Sequence, residues 1–341
     1  MGVDPLASKD SVRWVVHFGP PKTGTTSLQQ LLRAESDLLS GLGVSVPTTG
    51  WFDNAHHGLP PALVARDSAT LGLLRDEVMS SGCRVAVLTS ENLFPVLQSA
   101  PEALTTSGLF APGDTVQVVG HLRPLGPWLV SLWGESLRTS EGLWIDDALR
   151  LFHNDAWTRV LPILEGILVA GAATAPEAHW EVLALAPVSG DARSMVRRVL
   201  APALTETHEE EWTRTLPRVN VSDSAWTALC LWLDRGEHPL EGTHQVNPNL
   251  TPRTAAGRRL QGEPLQVFLS RDDQQWLRCR VVEWVATEVE PLVAHGWLDP
   301  DEARLLVSRS REPMPGLIDD DERKALVAEA THDIEEALRH R

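Results

Sequence analysis

The chain has 341 residues, of which 43% are hydrophobic and 22% charged, and these are the proportions of an ordinary folded globular protein. Its formal net charge of −16 argues against a nucleic-acid partner and against a long polyanionic acceptor, because both favour basic protein surfaces. A small anionic ligand stays compatible with this charge, since a pocket can be locally basic in an acidic protein.

The first ten residues are polar and of mixed charge, without the apolar run of a secretory signal peptide. No later segment approaches the ~20 apolar residues that a membrane-spanning helix needs. Three cysteines, Cys83, Cys230 and Cys279, lie far apart in the sequence, which predicts neither a disulfide framework nor a zinc site. We therefore expect a cytoplasmic protein with reduced thiols.

A strand, a loop and a helix are predicted in direct succession near the start of the chain. Residues 13–18, RWVVHF, form an apolar run that is typical of a buried strand. A turn rich in Gly and Pro covers residues 19–24, and the segment 25–36 then carries leucines at helical spacing.

Further strands alternate with helices up to about residue 190. Apolar runs predict buried strands at residues 83–90 and 115–123, a short strand at 44–47 and a further strand at 179–187. Between them the sequence predicts a polar loop over 48–58 and helices over 60–67, 69–80 and 124–138. This alternation predicts an α/β fold with a parallel β-sheet flanked by helices.

Beyond residue 190 the chain is predicted to be mostly helical, most clearly over 270–296. We find no internal repeat and no low-complexity linker in the sequence. The prediction is therefore a single domain over residues 1–341, with an α/β cofactor-binding core at 11–190 and a mainly helical C-terminal portion at 191–341.

The loop between the first strand and the first helix has the composition of a phosphate-binding site. Gly24 lets the backbone approach a ligand closely. The amides of Gly24, Thr25 and Thr26 would point outward at the helix start, where the helix dipole adds positive charge. Lys22 supplies a full positive charge. Gly19 and Gly24 have the glycine spacing of the nucleotide-binding P-loop, but the lysine precedes the second glycine instead of following it.

The sequence PKTGTT in this loop closely resembles the 5′-phosphosulfate loop of the sulfotransferases that use 3′-phosphoadenosine 5′-phosphosulfate (PAPS). The resemblance covers about residues 13–140 and is closer to the bacterial and carbohydrate-type branch than to the cytosolic phenol-type branch. It implies a sulfotransferase fold related to P-loop NTPases, with PAPS as donor, adenosine 3′,5′-bisphosphate (PAP) as product, and no metal requirement. The residues it assigns to the phosphosulfate are Pro21, Lys22, Thr23, Gly24, Thr25 and Thr26.

The same resemblance predicts a second anchor for the cofactor. Members of the family bind the 3′-phosphate of PAPS with an arginine at a strand end and a serine in the next helix. Here Arg123 ends the predicted strand 115–123, and Ser131 follows at the family's spacing in the predicted helix. Two such groups can converge on one phosphate at the carboxyl edge of a parallel sheet.

Some family features are absent, so the resemblance does not identify the residues that bind adenine. Ser27 stands where the phenol-type branch often has a tryptophan that stacks on adenine. Residues 89–91, Thr-Ser-Glu, stand in place of its Lys-Thr-His segment, and its C-terminal Arg-Lys-Gly clamp is missing. The basic segment 251–259 is a candidate replacement for that clamp.

Sulfuryl transfer needs a base that takes the proton of the acceptor, and the sequence offers two candidates. Lys22 would stabilise the charge that grows on the bridging oxygen of the leaving group. Glu91 follows a buried strand at the expected cofactor edge, although it could instead cap the next segment or bind Arg123. His57 lies in the polar loop 48–58, where related carbohydrate sulfotransferases often place their base, although it could simply be solvated.

Other residues near these candidates are predicted to be structural. His56 is expected to orient its neighbour rather than to catalyse. His17 and His121 lie within strands and are predicted to be core histidines with satisfied hydrogen bonds. Trp51, in the polar loop, is a candidate wall of the acceptor pocket, although most of the tryptophans should lie in the core.

Two other classes of function remain open at this point. The chain could be a P-loop kinase or NTPase, with Glu91 holding Mg²⁺, or a non-catalytic module that binds a nucleotide. The misplaced lysine and the pair of Arg123 and Ser131 favour the sulfotransferase. The acidic charge then favours a small neutral or cationic acceptor such as a glycoside, an amino sugar or a secondary metabolite. The sequence predicts no oligomeric state.

Overall fold

A sheet of five parallel strands forms the centre of the fold. The computed structural model describes residues 11–21, 25–129, 131–132, 159–186, 199–200, 229, 252, 254–262, 271–311 and 320–339. The strands are β1 (Arg13–Phe18), β2 (Val44–Ser45), β3 (Val85–Thr89), β4 (Thr115–His121) and β5 (His179–Leu185). They lie in the order β2-β3-β1-β4-β5, and every neighbouring pair is parallel. The predicted α/β fold with a parallel sheet flanked by helices is confirmed.

Helices connect the strands and form most of the C-terminal part of the described chain. Those before β4 are α1 (Thr25–Ala34), α2 (Ser36–Gly41), α3 (Leu59–Ala65), α4 (Ser68–Ser80), α5 (Leu93–Ser99) and α6 (Glu102–Thr105). Those after β4 are α7 (Leu161–Thr174), α8 (Ala255–Gly262), α9 (Arg271–Trp284), α10 (Glu290–Ala294), α11 (Pro300–Ser310) and α12 (Asp320–Arg339). Residues 125–129 and 131–132 are also helical. Within the described residues, we find no helix with the length and apolarity required to span a bilayer.

The strands β1 to β4 are largely buried, as expected of parallel strands with mostly apolar sequences, whereas the edge strand β5 is buried only at its last two residues. In the central strand β1, every residue from Trp14 to Phe18 is fully buried. The leucines of α1 lie in the same hydrophobic cluster as Val15 of β1, which explains why this helix repeats leucine at helical spacing. The helix that begins after the predicted phosphate loop, residues 19–24, is thereby fixed to the strand that leads into this loop.

The strands β3 and β4 end slightly earlier than their apolar runs predict. β3 ends at Thr89 and β4 at His121, so that Glu91 and Arg123 each lie two residues beyond a strand. After β4 the chain turns away before Pro124, because the residue preceding a proline is restricted and proline has no N–H for a ladder. Both candidate site residues therefore lie in loops at the carboxyl edge of the sheet.

The predicted helix over 270–296 is interrupted in the structure. α9 ends at Trp284, a π-helical turn covers Val285–Val289, and α10 begins at Glu290. Pro291 has no N–H and so makes no helical bond to the preceding turn, which accounts for the break in a pattern that is otherwise periodic.

The π-helical turn places one buried carboxylate at the start of α7. Oε1 of Glu288 accepts hydrogen bonds from the backbone N–H of Val160, at 2.5 Å, and of Leu161, at 2.6 Å. These two N–H groups lack partners inside α7, so the carboxylate caps the helix. Burial raises the pKa of Glu288 to about 7. Its other oxygen, Oε2, is buried without a partner among the described residues.

The amino edge of the sheet is held by a second buried carboxylate, that of Asp114. It accepts hydrogen bonds from Trp14 Nε1 at 3.0 Å and from the backbone N–H of Val12 at 2.9 Å. Arg75 of α4 forms an ion pair with it at 2.7 Å. Asp114 is fully buried and accepts from several donors, so it links β1, α4 and the start of β4.

The chain divides into two compact units. Unit 1 comprises Met1–Arg123, Thr158–Val219 and Ala286–Leu306, and unit 2 comprises Pro124–Trp157, Asn220–Val285 and Val307–Arg341. Unit 1 contains the whole sheet. In unit 2, Arg259 of α8 forms an ion pair with Glu322 of α12 at 2.7 Å. The single domain over residues 1–341 stays a prediction.

Candidate active site at the carboxyl edge of the sheet

The strand order defines a crevice within unit 1. From β1 the chain continues to β2 on one side of the sheet, whereas from β4 it continues to β5 on the other side. β1 and β4 are neighbours, so the direction of winding reverses between them. In open parallel sheets, ligands bind at such a reversal, outside the carboxyl ends of the strands. The loop 19–24 follows β1 at this position, and Arg123 follows β4.

The phosphate loop is described at its two ends. Lys22, Thr23 and Gly24 lie outside the described residues, and Pro21 precedes them. Thr25 begins α1 and is buried, whereas Thr26 is half-buried. The succession of strand, loop and helix predicted around this loop is confirmed, while its contacts with a phosphate stay a prediction.

The second predicted anchor is divided between the two units. Arg123 is half-buried after β4 in unit 1, and burial lowers the pKa of its guanidinium. Ser131 belongs to unit 2, where it is half-buried in a helical segment. The predicted convergence of these two side chains on one phosphate stays a prediction.

A hydrogen-bonded pair of buried histidines lies at the ends of β1 and β4. His17 Nε2 and His121 Nδ1 are 3.2 Å apart, and His17 Nδ1 is 3.0 Å from the hydroxyl of Thr89. Burial lowers the pKa of His17 to about 3 and that of His121 well below its usual value, so both rings are neutral near pH 7. The pair thus connects the three strand ends that lead to the phosphate loop, to Glu91 and to Arg123.

The prediction that both core histidines would be satisfied is wrong for His121. Its Nε2 is buried and has no hydrogen-bond partner among the described residues. A single proton lies between the two rings, because each neutral imidazole carries one N–H. Two proton arrangements are therefore possible, and they differ in whether His121 Nε2 carries the hydrogen.

The polar loop over residues 48–58 is closed at its neck. The N–H of Gly58 donates to the carbonyl oxygen of Gly50 at 2.9 Å. A Cβ atom on Gly58 would lie 3.0 Å from Gly50 Cα, so the two backbones meet closely and would have to separate by a few tenths of an ångström to admit a side chain. Glu77 of α4 accepts from the backbone N–H groups of Thr48, at 2.7 Å, and Thr49, at 2.8 Å.

His56 fastens this loop to β3, and its hydrogen-bond partners are backbone groups rather than the neighbouring His57 that it was predicted to orient. Its Nε2 donates to the carbonyl oxygen of Pro47 at 2.9 Å, and its Nδ1 accepts from the backbone N–H of Thr89 at 3.2 Å. Burial lowers the pKa of His56 to about 4, because the charged form would lose its hydration. The ring of Trp51 packs edge-on against His56 with the centroids 4.7 Å apart. Trp51 thus helps to pack the base of the loop.

His57 contacts polar side chains from two segments, its own loop and the turn that follows β3. Its Nδ1 is 2.9 Å from Asn92 Nδ2 and 3.2 Å from Ser90 Oγ. Its Nε2 is 3.1 Å from Asn54 Oδ1. Phe52, at the tip of the loop, is 57% exposed, and its ring centroid is 5.3 Å from that of His57. His57 is therefore held in a network and is more than a solvated loop residue.

Glu91 lies between two of the residues that contact His57. It is half-buried, and its Oε2 accepts a hydrogen bond from the hydroxyl of Thr25 at 3.4 Å. Glu91 thus contacts the first residue of α1, which is the end of the phosphate loop. The structure brings both candidate bases to the carboxyl end of β3, and of the two it shows Glu91 in contact with the start of that helix.

Sequence reasoning missed several partners at this site. Asn54 and Asn92 contact His57, and Thr25 contacts Glu91, yet no spacing rule predicts these contacts between separate segments. The only signal was position, since Asn92 directly follows the candidate base and Asn54 lies three residues before His57. In the described part of the chain, no group of three or more histidine, cysteine, aspartate or glutamate residues has the arrangement of a metal site.

Comparisons with known proteins identify no relative. No protein-family model, no curated protein and no solved structure matches the chain.

Proposed function

We propose that the protein is a sulfotransferase that transfers the sulfuryl group of PAPS to a hydroxyl or amine of a small acceptor. One observation carries the proposal. The loop whose sequence resembles a phosphosulfate loop follows β1, the predicted 3′-phosphate arginine follows β4, and these strands are neighbours where the sheet reverses its winding. One ligand in that crevice would therefore lie near both cationic groups.

The proposed reaction is an in-line displacement at sulfur. The acceptor oxygen or nitrogen forms a bond to sulfur while the bond from sulfur to the bridging phosphate oxygen breaks. The electron pair of that bond leaves with PAP, and the acceptor proton passes to a base. Lys22 would stabilise the negative charge that grows on the bridging oxygen.

The proposed cofactor contacts divide between the two anchors. Backbone amides and hydroxyls from Pro21 to Thr26, together with Lys22, would hold the 5′-phosphosulfate at the start of α1. Arg123 and Ser131 would hold the 3′-phosphate. The burial of Arg123 supports this role, because a guanidinium withdrawn from water gains more from an anionic partner.

The acceptor would be neutral or cationic. The net charge of −16 disfavours a second large anion at the same crevice, while PAPS itself is bound by the local cations. Glu91, which contacts the start of α1, and His57, which contacts Ser90 next to Glu91, are the two candidates to take its proton.

Binding of PAP tests the cofactor site directly. Isothermal titration of the wild-type chain with PAP should show one site, and Lys22→Ala and Arg123→Ala should each weaken binding ~10-fold or more, since each removes a charge-assisted contact. Arg84→Ala is the matched control, because Arg84 is exposed and precedes β3, at the opposite edge of the sheet from the proposed site. Binding of Mg²⁺-ATP with turnover, and no binding of PAP, would refute the proposal and favour a kinase or NTPase.

Transfer is tested separately by following the conversion of PAPS to PAP in the presence of neutral glycosides, amino sugars and aryl alcohols. Lys22→Ala should abolish transfer while the fold is retained. Tight PAP binding by the wild-type chain without transfer to any acceptor would instead favour a non-catalytic nucleotide-binding module.

A further inference from the structure

We propose that His57 is not the base of the reaction but a positioning residue, which two asparagines hold in one neutral tautomer and which fixes the segment 90–92 so that Glu91 takes the acceptor proton. The inference rests on the proposed function for its catalytic part. Its structural part, the state and contacts of the His57 ring, stands independently of any activity.

The partners of His57 define where its proton lies. The amide nitrogen of Asn92 can only donate, so the His57 Nδ1 that it contacts at 2.9 Å accepts and carries no hydrogen. The amide oxygen of Asn54 can only accept, so His57 Nε2, at 3.1 Å, carries the hydrogen. The two amides independently assign the same tautomer, which strengthens the assignment.

The lone pair that a base would use is therefore already engaged. His57 Nδ1 faces Asn92 and the hydroxyl of Ser90, and Ser90 has no exposed surface. If Nδ1 took a proton from an acceptor, its new N–H would face the N–H of Asn92 at the shorter contact of 2.9 Å, and the only acceptor left to it among these partners would be the hydroxyl of Ser90 at 3.2 Å. The geometry thus opposes the imidazolium that general-base catalysis by His57 would have to form.

Through the same contacts, His57 binds the two residues that flank Glu91 in the chain. These residues are Ser90 and Asn92, and both contact Nδ1 of the His57 ring. The hydroxyl of Ser90 in turn accepts from the backbone N–H of Asn92 at 3.2 Å, which tightens the turn. The carboxylate held within this turn reaches Thr25 at the end of the phosphate loop. His57 therefore controls the direction in which Glu91 points.

The ring itself is supported from the loop side. Asn54 comes from the turn between Phe52 and Ala55, whose backbone groups pair at 3.0 Å. Asp53, in the same turn, has a φ of 63°, a conformation uncommon for residues other than glycine. A defined loop conformation therefore presents Asn54 to His57, as a positioning network requires.

The tautomer is measured by ¹⁵N NMR of the histidine side chains at pH 8 in the full-length protein, with the His57 signals identified by their loss in His57→Gln. We expect a protonated Nε2 and an unprotonated Nδ1. Asn92→Asp replaces the donor by an acceptor and should shift His57 towards a form with hydrogen on Nδ1. The exposed His179 serves as an internal control that should not change. A wild-type His57 with hydrogen on Nδ1 would overturn the proposal.

The roles of the two residues are separated by kinetics with PAPS and the acceptor panel. Glu91→Gln should lower kcat ~10²-fold or more and remove the fall in kcat at acidic pH. His57→Gln should lower kcat by about 10-fold, through misplacement of Glu91, and keep the shape of the pH profile. His179→Gln is the matched control and should behave as wild type.

The possible outcomes are distinguishable. If His57→Gln removes the acidic limb of the profile while Glu91→Gln keeps it, His57 is the base and the inference is wrong. If the wild-type chain transfers sulfuryl to no acceptor, the proposed function fails, but the NMR measurement still decides whether the asparagines hold His57 as described.

Discussion

Thr25 and Glu91 are 66 positions apart in the sequence, yet the hydroxyl of Thr25 donates to the carboxylate of Glu91 at 3.4 Å. Thr25 is the first residue of α1, and Glu91 lies in the turn after β3. The bond therefore links the end of the phosphate loop to a candidate base. It makes the position of Glu91 depend on the conformation of the loop that would hold the sulfuryl donor.

Removal of this hydrogen bond should lower the rate of sulfuryl transfer more than it lowers the stability of the fold. Thr25→Val retains the shape of the side chain and removes the donor, and we expect kcat for sulfuryl transfer to fall ~10-fold, the worth of one hydrogen bond to a charged group. Thr106→Val is the control, because that hydroxyl donates only to the carbonyl oxygen of Glu102 in its own helix. An unchanged kcat with PAPS in Thr25→Val would show that the bond has no role in catalysis.

The buried histidines should make the protein sensitive to acid. Burial lowers the pKa of His17 to about 3 and of His56 to about 4, from a usual value of 6.5. Between these values and 6.5 the unfolded chain binds protons that the folded chain does not, so the free energy of unfolding should fall as the pH falls below 6.5. Urea titrations from pH 8 to pH 4 measure this slope.

His56→Gln provides the matching test. Between pH 6.5 and pH 4, this variant should lose less of its free energy of unfolding than wild type does, because one of the titrating groups is gone. The difference should be on the order of 3 kcal/mol. His179→Gln, at an exposed position, should leave the slope as it is. If the slope is the same in His56→Gln and in wild type, His56 does not titrate as its burial implies.

Glu288 should have the opposite pH dependence. Burial raises its pKa to about 7 from a usual value of 4.5, so the folded chain binds the extra proton and this contribution to stability is lost as the pH rises through 7. Glu288→Gln keeps the oxygen that caps α7 and removes the charge. We expect it to be more stable than wild type at pH 8, by about 3 kcal/mol at most, and equally stable near pH 4.5.

Thermal unfolding at the two pH values measures this difference. Glu290→Gln, an exposed neighbour in α10, is the control and should change Tm little at either pH. A Glu288→Gln variant that is less stable than wild type at pH 8 would show that the ionised carboxylate contributes more through its hydrogen bonds than it loses through burial.

The amino edge of the sheet should be the most sensitive part of the core. Asp114→Ala removes the acceptor of Trp14, Val12 and Arg75 together, and we expect a loss of about 3–5 kcal/mol, typical of breaking a buried ion pair. If this variant fails to fold, Asp114→Asn should fold with a smaller loss, since it keeps one acceptor oxygen. Asp37→Ala, exposed in α2, should change the free energy of unfolding by less than about 0.5 kcal/mol.

Much of the sheet follows from the sequence because parallel strands buried on both faces are continuous apolar runs. β1, β3, β4 and β5 each lie within a predicted run, and β2 lies within the short segment 44–47. The ends of the strands were less predictable, because a strand ends where its backbone hydrogen bonds to the neighbouring strand end. The apolar residues can continue beyond that point. The interruption at Val285–Val289 was missed for a similar reason, because a π-helical turn preserves the apolar pattern around it.

The site was predictable in part for a physical reason. A strand end or a helix start is a local feature, so Thr25, Glu91 and Arg123 could be assigned to the carboxyl edge from the sequence. Hydrogen bonds between distant segments are not local. The partners of His57 and the pairing of His17 with His121 depend on how loops and strands come together, and they emerge only in the folded chain.

The close approach of Gly50 and Gly58 has a practical consequence for engineering. Because these glycines close the loop at its base and His56 fastens it to β3, residues 52–54 at the tip form a separable module. Phe52 is exposed, so a library at this one position should vary the surface of the loop without repacking the interior. Asp53, with its φ of 63°, should be kept because its turn presents Asn54 to His57. A library that also varied Gly58 would force the neck of the loop to open by a few tenths of an ångström, because a Cβ there meets the backbone of Gly50.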